Sequence, residues 1–193
     1  MDEARAREAI VRYGQRLWDR RLVTGTSGNI SVLLDDGDIV ATPSARSLGS
    51  LESRELVRVD PNGAARDPAQ RPTSELPLHL AAYRERPHVR CVVHTHPTFC
   101  VVWSRTGSVF PRDTVGARES LGSLAWTPFR PNGSSELAEL CALEFARGID
   151  TVIMERHGLS SIAEHLEDAF MQTDLAEEAA RIAYFSKVAG FLA

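Results

Sequence analysis

Long hydrophobic runs are missing from this chain. The longest, such as CVV at 91–93 and TVIM at 151–154, fall far short of the ~20 apolar residues that a membrane span needs, so no membrane partner is expected. A basic surplus is missing too: 22 Lys and Arg stand against 26 Asp and Glu, a formal charge of −4. Nucleic-acid-binding domains carry a basic face, and none is implied here. The overall field does not attract anions, so a phosphate-bearing ligand must be met by a local site. Cysteine is scarce. Cys91, Cys100 and Cys141 are odd in number and fit no C-x-x-C spacing, which reads as the thiols of a cytoplasmic protein rather than a disulfide frame. The opening stretch MDEARAREAIVRYGQRLWDRR is charged throughout and lacks the apolar core of a signal peptide. Internal repeats and low-complexity segments are absent as well.

What is present is an ordinary globular balance, 43% apolar and 25% charged over 193 residues, enough for one domain spanning 1–193 and too little for a second full one. Apolar Ile10, Tyr13, Leu17 and Trp18 recur at helical spacing between Asp2 and Arg21. GTSGN at 25–29 breaks that helix. ISVLL and IVA then read as two strands around the turn DDGD at 35–38. TPSARSLGS is a loop, and LVRVD alternates as a third strand. A helix is predicted from Ser74 or Glu75 to about Arg86, with Ser74 as N-cap and Pro77 tolerated in its first turn. VRCVVHTH reads as a mostly buried strand, Pro97–Arg105 as a short helix and SLAWTPF as a strand. GSSELAELCALEFARG carries a Ser cap, an early Glu and a terminal Gly148, the marks of a helix. TVIMERHGLSSIA reads as two strands around His157-Gly158, and a long helix runs from His165 to Ala193. Helices at both ends, hairpin-like strands between and few strict βαβ units predict a mainly antiparallel sheet with helices on its faces.

Six histidines are spread over the chain. Residues two apart on a strand share a face, so His94 and His96 in CVVHTHPTFC present two imidazoles side by side. A catalytic zinc with an open position takes about three protein ligands, and the pair alone is also compatible with a solvated face. His157, in the turn MERHGL, is the best third candidate, with Gly158 permitting close approach; an ordinary turn histidine is the alternative. His79 between two leucines suits a half-buried structural role, His88 an exposed loop and His165 a helix cap. Glu75 in RPTSELPLHL sits where a carboxylate complements a helix N-terminus, and where it could also act as a base beside a metal. Three loops rich in hydroxyls, GTSGN, TPSARS and PTSE, are each compatible with an anion nest or a plain turn. Together with the histidines they describe a site for a small phosphorylated or carboxylated substrate on a metal.

The markers GTSGNISV, TPSARSL, PTSELPLHLAAYRERPHVRCVVHTHP, GSSELAE and MERHGLSSIAEHLEDAF, in that order from about Ala6 to Ala189, resemble the class II aldolase/adducin family. The resemblance implies an α/β fold, a three-layer α/β/α sandwich with a mainly antiparallel central sheet, assembled as a homotetramer with active sites between subunits. It makes His94, His96 and His157 ligands of zinc, with manganese or cobalt as other divalent candidates, and Glu75 the catalytic acid/base. Gly28, Asn29, Ser44, Ala45, Thr73 and Ser74 fall at phosphate-binding positions. The implied reaction is retro-aldol cleavage of a small ketose phosphate through a metal-stabilised enediolate. Epimerases, decarboxylases and dehydratases of sugar phosphates share the family. Its structural adducin branch lacks the ligand histidines, which this chain keeps.

Three departures from the family pattern bear on function. The family's aldolases use a tyrosine of the neighbouring subunit as proton donor. Its position falls at Val115, and no tyrosine lies between Tyr83 and Tyr184; Asp113, Arg118 and Glu119 are the nearby polar groups. The chain also stops soon after Tyr184, where fuller members continue with a tail over the neighbour's substrate. Finally, Ala45 replaces a frequent glycine, expected to crowd the phosphate loop, and Arg156 stands where asparagine is common. Within the family, Glu75 rather than aspartate argues against the epimerases, and Thr73 rather than lysine argues against the decarboxylases.

Overall fold

A computed structural model describes residues 1–106 and 109–190. Seven strands form one sheet in the order β3-β2-β1-β4-β7-β6-β5. They are β1 (Asn29–Leu33), β2 (Ile39–Ala41), β3 (Val57–Val59), β4 (Cys91–Thr95), β5 (Leu124–Thr127), β6 (Thr151–Met154) and β7 (Gly158–Ala163). Every pairing is antiparallel except β5–β6, which is joined through helix α5 (Ser135–Ala146) as parallel neighbours must be. The mainly antiparallel sheet is thus as expected, with one βαβ unit at an edge.

Helices cover both faces. On one side α1 (Glu3–Asp19) and α6 (Leu166–Val188) bury Ile10, Leu17, Ala169 and Phe170 against Ile30, Val32, Val40, Cys91 and Val93. On the other, α2 (Leu76–Glu85) and α5 bury Leu78, Ala82, Leu137 and Phe145 against Val92, Val152, Met154 and Ile162. Two short helices, α3 (Thr98–Ser104) and α4 (Val115–Glu119), pack along α6. The helix α1 forms because its apolar residues fall on one stripe and Asp2 caps its N-terminus by accepting from the Arg5 N–H. At the β3 edge, the Arg58 guanidinium bonds Glu3, Asp36 and Asp38 at 2.6–2.7 Å, tying α1 to the first hairpin.

The elements differ from expectation in three places. The α2 N-cap is Glu75, not Ser74, and it makes no side-chain capping bond; Pro77 at the second helical position sets the start. His165 stands at the N-cap of α6, as expected, though it likewise makes no side-chain capping bond. The loop after β2 contains a 3₁₀ turn at Leu48–Ser50. The helix α4 was not predicted, being five residues long and too short to show a period; its N-cap Thr114 accepts from the Ala117 N–H. The last positions of the predicted terminal helix, 191–193, lie outside the described residues.

Candidate functional site

The site grows from the register of the three central strands. Across β1, β4 and β7, Asn29 pairs with His94 and His94 with Ser160. These three side chains therefore stand in one row on the face that α2 and α5 cover. His96 lies just beyond the end of β4, where its N–H donates to the Leu22 carbonyl at 3.2 Å. His157 comes from the β6–β7 turn. Gly158 presses that turn onto β4: a Cβ there would lie 2.1 Å from the Thr95 carbonyl oxygen, so only glycine permits the approach.

The three imidazoles meet. Their ring centroids are 4.8, 4.9 and 4.9 Å apart, and one ring nitrogen from each lies within 4.8 Å of the others. His94 Nδ1 bonds Ser160 Oγ at 3.0 Å and its Nε2 stands 2.9 Å from His96 Nε2, so the second ring nitrogen is fixed and Nε2 faces the cluster. Burial depresses the pKa of His94 well below its ordinary value, and the neighbouring His96 and His157 push the same way. Burial also lowers His96, and His157 is pushed down to about 4 by burial and then by His96. Three imidazoles, held neutral by burial and converging with a ring nitrogen of each turned to the others, could hold a divalent ion, the donor set that borderline metals favour.

Glu75 closes the cluster. Its Oε1 is 3.9 Å from His157 Nε2. The residue is 3% exposed, and neither carboxyl oxygen has a hydrogen-bond partner of ordinary geometry among the described residues. Burial raises its pKa, opposed in part by the Gly133 N–H. Such an unpaired buried carboxyl is costly to folding and of the kind that clusters at functional sites. Gly133, at φ +67°, passes so close that a Cβ would lie 2.8 Å from the Ser74 carbonyl oxygen.

A small hollow of about 90 Å³ joins these groups to the three hydroxyl-rich loops. Every sequence-predicted site residue lines it: Gly28, Asn29, Ser44, Ala45, Thr73, Ser74, Glu75, His94, His96 and His157. The loops around Ser44 and Thr73 are clamped to each other, Ser44 N–H to the Arg71 carbonyl at 3.0 Å and Thr73 N–H to the Thr42 carbonyl at 2.9 Å. Thr26, Ser27, Pro43 and Asn132 also line the hollow. The first two lie in a loop already singled out by its hydroxyls. Asn132 was missed, because PNGSS reads only as the lead-in to a helix cap. A larger apolar hollow of about 370 Å³, lined by Trp103, Phe110 and Trp126, lies elsewhere and holds no carboxylate or imidazole.

Two of the departures have a backbone explanation. Ala45 and Arg156 both adopt positive φ, 58° and 57°, the left-handed region that glycine and asparagine enter most readily. Val115 is 70% exposed at the start of α4. Neither it nor Asp113, Arg118 or Glu119 lines the Glu75 hollow of this chain.

The fold is that of the class II aldolases. Residues 8–184 match the Class II Aldolase and Adducin N-terminal domain, and the chain belongs to that family. An L-fuculose phosphate aldolase of Methanococcus vannielii is 34% identical over 86% of this chain and 88% of its own. A 3-oxo-tetronate 4-phosphate decarboxylase of Escherichia coli K12 is 29% identical over 94% of this chain and 87% of its own. The crystal structure of YgbL from Klebsiella pneumoniae, described as an aldolase, epimerase or decarboxylase, superposes with a TM-score of 0.88 at 27% identity, over 96% of this chain and 91% of that one. Among the described residues no helix is long and apolar enough to cross a membrane.

Proposed function

We propose that this chain, acting as one domain over 1–193, is a zinc-dependent aldolase that cleaves a small ketose phosphate by a retro-aldol reaction. The carrying observation is the unpartnered Glu75 carboxyl 3.9 Å from one of three converging imidazoles, beside a hollow lined by hydroxyls. His94, His96 and His157 would hold the ion, which supplies Lewis acidity to the substrate's oxygens. Lys187 is the only lysine in the sequence and lies exposed near the end of α6, so no buried side-chain amine is at hand for a Schiff base.

Glu75 moves the proton. Breaking the C–C bond turns the neighbouring hydroxyl into the aldehyde carbonyl, its proton passing to solvent, and leaves an electron pair on the carbon beside the ketone carbonyl, which takes a proton from the Glu75 carboxyl; in the synthetic direction the carboxylate removes that proton and the aldehyde oxygen takes one from solvent. Burial raises the carboxyl toward working pH, where proton transfer in both directions is efficient. Thr26, Ser27, Ser44, Thr73, Ser74 and the Asn29 amide hold the phosphate and so position the reacting carbons.

A hollow of about 90 Å³ is small beside the ~300 Å³ or more of ordinary ligand pockets. A site completed by a neighbouring subunit fits this small hollow, and the family resemblance makes that assembly a homotetramer. The test is a panel of ketose 1-phosphates assayed for aldehyde release with and without chelator. Chelator-sensitive cleavage, lost in Glu75→Gln, is expected; no release of dihydroxyacetone phosphate from any member contradicts the reading. A same-fold decarboxylase is the second reading, favoured by the 29% identical decarboxylase and by Val115 in the tyrosine position. Product masses separate them, since only decarboxylation loses carbon dioxide and epimerisation changes no mass. A metal-free, inactive protein would favour an adducin-like interaction module.

A further inference from the structure

His79 has no role in the chemistry above, yet it is 0% exposed and both its ring nitrogens are engaged beside the site. His79 Nε2 lies 2.6 Å from Asn29 Oδ1, and Nδ1 lies 2.7 Å from Ser31 Oγ. Ser31 Oγ lies in turn 2.6 Å from the Tyr83 hydroxyl. Asn29 and Ser31 alternate with Ile30 on β1 and so share the face that α2, carrying His79 and Tyr83, covers. Burial holds the imidazole neutral, its pKa pushed down to about 3.

A neutral imidazole has one donor and one acceptor, and this fixes the direction of every bond in the chain. An amide oxygen can only accept, so His79 Nε2 carries the proton and donates to Asn29 Oδ1. Nδ1 is then bare and accepts from the Ser31 hydroxyl. The Ser31 hydrogen being used, its oxygen accepts from the Tyr83 hydroxyl. The chain runs one way, from Tyr83 to Ser31 to His79 to Asn29. It leaves the Asn29 NH₂ as the amide's remaining polar group, on a side chain that lines the hollow with Ser44, Thr73 and Ser74.

We propose that His79 is a positioning residue that locks the Asn29 amide with its NH₂ turned into the hollow, so that the anion meets a donor there and never the amide oxygen. This rests on the sugar-phosphate reading above and names how that site distinguishes an acceptor-only phosphate. Released from His79, Asn29 is free to flip, and half its orientations present oxygen to the phosphate. A hydrogen bond to a charged group is worth on the order of ten- to hundred-fold in affinity. His79→Phe should therefore weaken inorganic phosphate binding to the metal-loaded protein, by about two-fold if the freed amide only flips between two equal orientations and by about ten-fold or more if it also swings away so that the hydrogen bond is lost, with zinc affinity unchanged.

Two further readouts separate positioning from a general loss of packing. In a double-mutant cycle, His79→Phe adds nothing to the loss caused by Asn29→Ala if it acts through that amide; additive losses overturn the proposal. If His79→Phe does not fold, Ser31→Ala takes its place, with a smaller loss that Asn29→Ala again masks. Nitrogen chemical shifts of the wild-type His79 ring at pH 7 should report the Nε2–H tautomer, and an Nδ1–H or cationic ring overturns the chain. Wild-type protein that binds no phosphate overturns the sugar-phosphate reading and the anion-binding half of this one together. Phosphate bound with additive losses, or bound insensitively to Asn29→Ala, overturns the positioning role alone.

Discussion

The two faces of the β1–β4 strand pair are both buried and differ in content: one is apolar, and the other sets polar groups beside Val92. Toward α1 and α6 the pair shows Ile30, Val32, Cys91 and Val93. Toward α2 and α5 it shows Asn29, Ser31 and His94, with His79 and Ser160 meeting them. The first face repays the entropy of folding with apolar area. The second gives up that gain, and its polar atoms are satisfied in chains until the row ends at an unpaired carboxyl and three imidazoles. At β1 and the end of β4 the alternation of a strand thus sets apolar packing and the polar row on opposite faces, and a substitution there should act mainly on stability or mainly on the site according to the face it touches.

The largest effect expected is on the polar face. Glu75→Gln should lower the cleavage rate by about 10²–10⁴ while zinc binding persists. Its melting temperature should not fall, because an unpaired buried carboxyl is replaced by a neutral isostere. A fall in stability matching the fall in rate would erase the distinction between the faces. On the apolar face, Ile10→Ala or Leu17→Ala, both at 0% exposure, should cost about 2–5 kcal/mol of stability in denaturant titrations, with the zinc stoichiometry of the folded fraction intact.

Acid should act through the polar face. His79 is held down to about 3 and His157 to about 4 from an ordinary 6.5. Between pH 6.5 and about 4 the unfolded chain binds protons that the native state refuses, so stability of the metal-free protein falls as pH drops through that window. Chemical denaturation at stepped pH checks this, and a flat profile over that range contradicts it. The smallest effect is at Ala45. Relief of its positive φ should let Ala45→Gly gain up to ~1 kcal/mol, read as a modest rise in melting temperature.

How much of this was legible in the sequence follows from how local each signal is. The first hairpin was readable because DDGD sits between two apolar runs, and α5 because Ser134 and Gly148 bracket it; Ser134 does accept from the Leu137 N–H. The start of α2 was misplaced because Ser74 looks like a cap, whereas the helix begins under the constraint of Pro77. His79 was read as half-buried from its leucine neighbours. Its partners on β1 lie 48 and 50 residues away, a distance no local pattern carries. Asn132 was overlooked for the same reason. The imidazole pair was legible as a pair, and His157 as its third member from the Gly158 beside it; the distances at which the three rings meet needed the tight β6–β7 turn.

The central claim is that His94, His96 and His157 hold one divalent ion beside Glu75. Calorimetric titration of chelator-treated protein with zinc tests it most directly. One ion per chain is expected, bound in wild type and in Glu75→Gln and lost in His157→Ala. Wild-type protein that takes up no zinc, or a His157→Ala variant that binds it as tightly, would contradict the account.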